Sequence, residues 1–317
     1  MVTRSRALLC VSIDCECDKG PAWRTRRPLT FQGVHQGIAK RLQSLFRRSG
    51  AKATYLLSPE LLRDAACVEC LASLDGCELG THLHGEMAEP GAFEPEVTAA
   101  VQRDYPPEVE RAKLTWLTNA FRSAFGRAPH SFRAGRFGIG ESTIPILDQL
   151  GYTVDSSVTP HVDWSAVSPG LSFVGSPTQP YHPDLRQPAR PGTGRLLEIP
   201  VTIRPRALSR IPLIGRHVEP RWLRPTRSAG DVLIAIARET LEAELTARPE
   251  EPVVLNAMFH NVEVVAGTSP YADTEGEAQR ILDSLGALLE FARHENIPCV
   301  GLSDVAALLT ERPRQGA

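Results

Sequence analysis

Short apolar runs that stop abruptly on charged residues alternate along this chain with longer stretches whose apolar positions recur at helical spacing. The first run, Leu8 to Glu16 (LLCVSIDCE), sets the pattern. Its continuous apolar positions Leu8, Leu9, Val11 and Ile13 predict a strand covered on both faces. Side chains alternate along a strand, so Asp14 and Glu16 should leave its C-terminal tip on one side, with Cys15 turned away. Further strands are expected at ATYLLSP (53–59), CELGT (77–81), within HSFRAGRFG, at YTVDSSV, at LLEIPVTI and at VVLNAMF (253–259), with IPCVGLSD closing the sheet.

Between these runs, Val34, Ile38, Leu42, Leu45 and Phe46 predict a helix closed by Arg47, Arg48 and Gly50, the basic residues matching the negative end of its dipole. Other helices are expected over about 59–74, through Val109, Trp116, Leu117, Phe121 and Phe125, over 144–150 and 231–248, and through Ile281, Leu285, Leu288, Leu289 and Phe291. Seven or eight strands alternating with helices predict an α/β fold with a parallel sheet and crossover helices. In such folds functional side chains gather at the C-terminal strand ends, where Asp14, Glu16, His82, His84, Arg133, Asp155 and His260 all fall.

The 317 residues suit one (β/α) barrel of ~250 residues with additions. The whole chain, 1–317, therefore reads as a single catalytic domain with irregular insertions at about 160–195 and 204–228. A composition of 42% apolar and 23% charged residues excludes disorder and coiled coil, while the net charge of −2 singles out no class of partner. Seven cysteines, an odd count without a secretory pattern, point to reduced thiols and a cytoplasmic location. No stretch approaches the ~20 apolar residues of a membrane helix.

His82 and His84 are spaced so that, in an extended segment, both imidazoles project from one side and can share a metal ion with a carboxylate from a neighbouring strand. Of Asp14 and Glu16, one would bind the ion and the other would take a proton from water that the ion acidifies. Arg133 is suited to keep that base ionised, and His260 to protonate a departing amine. Asp155 is expected to orient His260 or border the substrate, with Trp164, Tyr181 and Tyr271 available to stack on a substrate ring. The loop 20–30, which carries Trp23 and Arg24, reads as the mouth of the site.

Two other features have plainer readings. Cys67-x-x-Cys70 lacks a fourth ligand at zinc-finger spacing and reads as helix packing. The stretch Arg204, Arg206, Arg210, Arg216, Arg221, Arg224 and Arg227 reads first as a solvated loop. Its charge would also suit the pyrophosphate of a nucleotide- or lipid-linked substrate. It lacks the basic helix and interleaved aromatics of a nucleic-acid surface.

Together, SIDCE, ELGTHLHGE, SFRAGRFG and MFHNVEVVAGTSPY resemble the polysaccharide deacetylase superfamily, NodB-type metal-dependent enzymes that remove N-acetyl groups from amino sugars. The similarity runs from Leu8 to about Ser303. It implies a distorted, partly open parallel barrel of seven βα units and a divalent ion, most often zinc. It also implies that Asp14 is the base, Glu16 a metal ligand, Arg133 the partner of the base and His260 the general acid. The second motif departs from the family pattern of two histidines separated by three residues. Here the residue four after His82 is Glu86, and the second histidine, His84, is two along. Glu16, His82 and His84 are thus the expected ligands, with Glu86 as substitute if the backbone turns His84 away. The expected activity is hydrolysis of an N-acetylated sugar in carbohydrate biosynthesis. The alternatives are opening of a cyclic amide or imide on the same scaffold, and a carbohydrate-binding protein without catalysis.

Overall fold

The computed structural model describes residues 6–25, 27–92, 101–206 and 219–310. Strand β1, Ala7–Cys15, shows how the sheet divides its two faces. Leu9, Val11, Ile13 and Cys15 pack in the large core beneath the helices, with Phe46, Tyr55, Leu285 and Phe291. Leu8 and Cys10 point the other way, into a floor shared with Leu56, Val154, Leu197 and Val254, and Ser12 and Asp14 continue that inner row upward. The inside of the sheet is therefore apolar at the bottom and polar at the top.

Five more strands follow: β2 Thr54–Leu57, β3 Glu78–Leu83, β4 Ser131–Ala134, β5 Val154–Asp155 and β6 Leu197–Glu198. Two short strands, β7 Ile203–Arg204 and β8 Arg221–Trp222, form an antiparallel pair, and β9 spans Val253–His260. The seven-stranded sheet runs β6-β5-β4-β3-β2-β1-β9, parallel at every pairing. Its two edges curl towards each other. The Thr202 amide donates to the Asn256 carbonyl at 2.9 Å, the Asn256 amide donates to Thr202 Oγ1 at 2.8 Å, and the Asn256 side chain donates to the Ile199 carbonyl at 3.2 Å. The expected distorted barrel of seven parallel strands is the observed architecture.

Three expected elements differ. LLEIPVTI is two short strands, because Pro200 has no amide to give a ladder. The single helix expected over 59–74 is two, Pro59–Arg63 and Ala65–Ala72. The extended residue between them, Asp64, caps the second helix by accepting from the Cys67 amide at 2.8 Å. IPCVGLSD does not close the sheet as a strand. Cys299 forms one bridge beside Leu9, the Leu9 amide reaching the Pro298 carbonyl at 3.0 Å and the Val300 amide the Leu9 carbonyl at 2.9 Å. Gly301 then donates to Asp304 at 2.9 Å, and helix Leu302–Thr310 plugs the floor with Leu302 and Val305.

Helix Gly33–Leu42 is wound as a π-helix and runs into helix Gln43–Ser49, which ends at Gly50 with φ 63°, as its C-terminal signals require. The 160–195 region is irregular, tied by single bridges such as Tyr181 to Glu198. All seven cysteines are free. Among the described residues no helix is long and apolar enough to cross a membrane.

Candidate active site

A buried arginine organises the upper half of the barrel. Arg133, on β4, is 0% exposed, and its guanidinium donates to Asp14 Oδ1 at 2.7 Å, Ser12 Oγ at 2.7 Å, and the Ser156 hydroxyl and carbonyl at 2.9 and 2.7 Å. Ser12 in turn donates to Asn256 Oδ1 at 2.8 Å, so strands β1, β4 and β9 meet on one polar network. Burial by itself would raise the Asp14 carboxyl. The Arg133 guanidinium, with His82 and His260, outweighs it and holds Asp14 below the usual carboxylate range. Asp14 Oδ1 is thereby committed to Arg133, while Oδ2 lies 4.0 Å from His82 Nε2 and 3.9 Å from His260 Nε2.

Three donor groups converge beside that oxygen. Glu16 Oε1 lies 3.4 Å from His82 Nε2 and 3.0 Å from His84 Nε2, and the ligand atoms of the three residues all fall within 4.8 Å of one another. His82 Nδ1 lies 3.0 Å from the Arg133 carbonyl, an acceptor, so that nitrogen carries a proton and Nε2 is the atom turned towards Glu16. His84 is not turned away. Its Nδ1 lies 3.3 Å from Glu86 Oε1, which also accepts from Arg136 at 2.7 Å, so Glu86 stands behind the imidazole and is not in the converging group. Flanked by two carboxylates, His84 is raised to about 9 despite its burial, and Glu16 is held well below the usual range against its own burial by Lys19 and His84. Two imidazole nitrogens and one carboxylate oxygen, with the His82 ring already oriented through Nδ1 by the Arg133 carbonyl, fit a zinc-like ion. The close approach needs Gly135: a Cβ there would lie 2.5 Å from the Leu83 carbonyl oxygen and 3.2 Å from the His84 ring.

His260, at the tip of β9, faces this group from the other side, its Nε2 3.7 Å from Glu16 Oε1. Its Nδ1 lies 2.8 Å from Glu263 Oε1, and the fully buried Glu263 is held by Arg224 and Thr226. Burial would raise Glu263, but Arg224 and His260 hold it below the usual range. The Trp23 indole lies edge-on to the His260 ring at 4.9 Å and to Tyr271 at 5.4 Å, on a loop whose backbone reaches φ 51° at Trp23. Tyr271 is 38% exposed at the rim.

Solved structures with this arrangement of strands include a protein assigned as a polysaccharide deacetylase from Pseudomonas aeruginosa PAO1, with TM-score 0.59 and 14% identity over 98% of this chain and 93% of that one. The chain has the polysaccharide deacetylase fold. A Mycobacterium smegmatis protein assigned to the same class gives TM-score 0.57 and 16% identity over 100% of this chain and 96% of that one. The allantoinase PuuE shares the fold, with TM-score 0.58 and 14% identity over 97% of this chain and 91% of that one. No family model and no curated protein matches the sequence.

On this deacetylase fold the structure brings Asp14, Glu16, His82, His84, Arg133 and His260 into one cup, and it leaves Asp155, Trp164 and Tyr181 out of it. Asp155 does not orient His260. It is fully buried, accepts from Ser157 at 2.6 Å, and sits in register with the equally buried Glu198 on β6. Burial pushes both carboxyls up, the Asp155 carboxyl to about 6 and that of Glu198 well above its usual value. Glu263 takes the role expected of Asp155. Trp164 is stacked on Phe137 at 5.6 Å and donates to Thr159, and Tyr181 is buried with its hydroxyl on the Pro188 carbonyl, so both are packing residues at the wall.

Of the arginine stretch, Arg224 reaches the site, Arg221 pairs with Glu239, Arg206 donates to the Glu219 carbonyl, and Arg210 and Arg216 lie outside the described residues. Cys67 faces His35 and Asp64 between two helices and packs in the core. Sequence reasoning missed Lys19 and Glu263 as parts of the site, whereas Trp23 lies in the loop expected at its mouth. The His260-x-x-Glu263 spacing was the signal for the glutamate, since three residues is one turn of the 3-10 helix Asn261–Val264.

Proposed function

We propose that this protein is a metal-dependent hydrolase that removes the N-acetyl group from an amino sugar during carbohydrate synthesis. The observation that carries the reading is the convergence of two proton-handling groups, Asp14 and His260, on the Glu16–His82–His84 donor set, each within about 4 Å of one of its members. Those three residues would hold the ion, zinc being the best match to the donors. A divalent ion bound there supplies Lewis acidity, polarising the acetyl carbonyl and acidifying water.

The protein's own residues supply the rest. Asp14, kept ionised by Arg133, accepts a proton through Oδ2, the oxygen that Arg133 leaves open. His260 presents Nε2 towards the cup and donates a proton to the leaving nitrogen. Glu263, fixed by Arg224 and Thr226, holds the ring in that orientation through Nδ1. Trp23 and Tyr271 form an aromatic wall beside His260, suited to the apolar face of a sugar ring. Tyr271 also borders a cleft of about 510 Å³ with Arg227 and Arg280, room for a group attached to the sugar, including a nucleotide or lipid pyrophosphate. We place the enzyme in the cytoplasm, a reading supported by seven free cysteines.

The test is acetate release from free, nucleotide-linked and lipid-linked N-acetyl amino sugars by metal-stripped protein before and after adding zinc. Zinc-dependent release from at least one of them is expected, and His82→Ala should lose both bound metal and release. A second reading is supported by the shared fold of the allantoinase PuuE: opening of a cyclic amide, which consumes water without freeing acetate. Turnover of a cyclic amide with no acetate from any sugar would establish it. A protein that binds sugar but neither binds metal nor turns over any amide would be a binding protein instead.

A further inference from the structure

Glu16 has two oxygens, and only one faces the imidazoles. Oε1 is the atom near His82 and His84, whereas Oε2 accepts from the Lys19 ammonium at 2.8 Å. Lys19 is 7% exposed, so its charge has no easy path to solvent. Its Nζ also donates to Thr25 Oγ1 at 3.2 Å. The amides of Lys19 and Gly20 both donate to the Thr268 carbonyl, at 2.9 and 3.0 Å, and the Arg24 amide donates to the Lys19 carbonyl at 3.0 Å. Glu16 is fixed from its own backbone too: its amide donates to Asn261 Oδ1 at 2.9 Å and its carbonyl accepts from Asn261 Nδ2 at 3.1 Å. The carboxylate is thus clamped at both ends.

We propose that Lys19 is a positioning residue that restricts Glu16 to donation through a single oxygen and so sets the cup's preference for a small tetrahedral ion over a larger, oxygen-seeking one. This rests on Glu16, His82 and His84 being the ligands. Zinc takes one short oxygen bond from a carboxylate and is content with four donors. Larger hard ions gain from chelation by both carboxylate oxygens and from higher coordination numbers. An ammonium already seated on Oε2 closes the chelating mode while leaving Oε1 free.

The experiment is calorimetric titration of zinc and of manganese into metal-stripped wild type, Lys19→Met and Lys19→Gln. Lys19→Met removes both donor and charge, and its zinc-to-manganese affinity ratio should fall by about tenfold or more; Lys19→Gln keeps an N–H donor, and its ratio should stay within about threefold of wild type. A wild-type ratio in Lys19→Met overturns the proposal, as does a fall in Lys19→Gln as deep as that in Lys19→Met. A crystal structure of the zinc-loaded wild type decides the same point without a variant: Glu16 should bind through Oε1 alone with Lys19 still on Oε2, and a chelating Glu16 overturns it. Folded wild type that takes up neither ion would overturn the ligand assignment itself, a result distinct from an unchanged ratio.

Discussion

Arg133 and Asp14 meet 2.7 Å apart at the centre of the barrel, and neither side chain is more than 3% exposed. A buried pair of this kind is costly to break from one side, because the surviving charge is left without its partner. Arg133→Met should therefore destabilise the protein by about 3–5 kcal/mol in urea unfolding. Asp14→Asn removes the counter-charge but leaves Arg133 its Ser12 and Ser156 acceptors and an amide oxygen, so it should destabilise less than Arg133→Met, and the folded fraction should keep its zinc. Its acetate release should fall by about 10²–10⁴-fold, the usual contribution of a positioned base.

Glu263 acts through His260, standing behind the imidazole on the side away from the donor set. Glu263→Gln should reduce kcat by about 10–100-fold, leave KM and bound zinc nearly unchanged, and shift the pH profile of kcat. A matched loss in zinc content would instead make Glu263 part of the metal site.

His84 gives the metal-free protein a distinct pH dependence. Its imidazolium, flanked by Glu16 and Glu86, is raised from 6.5 to about 9 in the folded state. A raised histidine stabilises the fold fully below its unfolded value, and that stability is lost as pH rises through the folded value. In the presence of a chelator the Tm should thus drop between about pH 6.5 and 9, and His84→Gln should flatten that drop. Zinc must displace the same proton, so its apparent affinity should climb over this interval and level off above about pH 9.

Gly135 is the close-contact position behind His84. Gly135→Ala forces a methyl against the Leu83 carbonyl, which should cost about 1–3 kcal/mol and displace the imidazole. Zinc affinity should fall with little change in that of a sugar product, read by calorimetry for each.

The main site residues were legible because strand periodicity is strict. Alternation along β1 puts Ser12, Asp14 and Glu16 in one row, and the acids and imidazoles fall at strand ends where a parallel barrel opens. What escaped the sequence depended on tertiary packing. Asp155 stands at a strand end like Asp14, yet it is buried beside the carboxyl of Glu198, in register on the next strand, a match made between residues far apart in the chain. Lys19 lies just before the loop expected at the mouth of the site, and Trp23 within it, but nothing in the sequence says how closely that loop folds down. Its backbone bonds to the Thr268 carbonyl and the left-handed turn at Trp23 fold it over the cup. The break at Asp64 was the reverse case, a capping residue readable in the sequence but outweighed by the helical periodicity around it.

β1 has its lateral neighbours at residues 54–57, 253–260 and 299. β1 must therefore wait for the segments around residues 253–260 and 299 to be made before its hydrogen bonds are complete. Until then its apolar edges are exposed, a period in which nascent-chain chaperones would have most to protect.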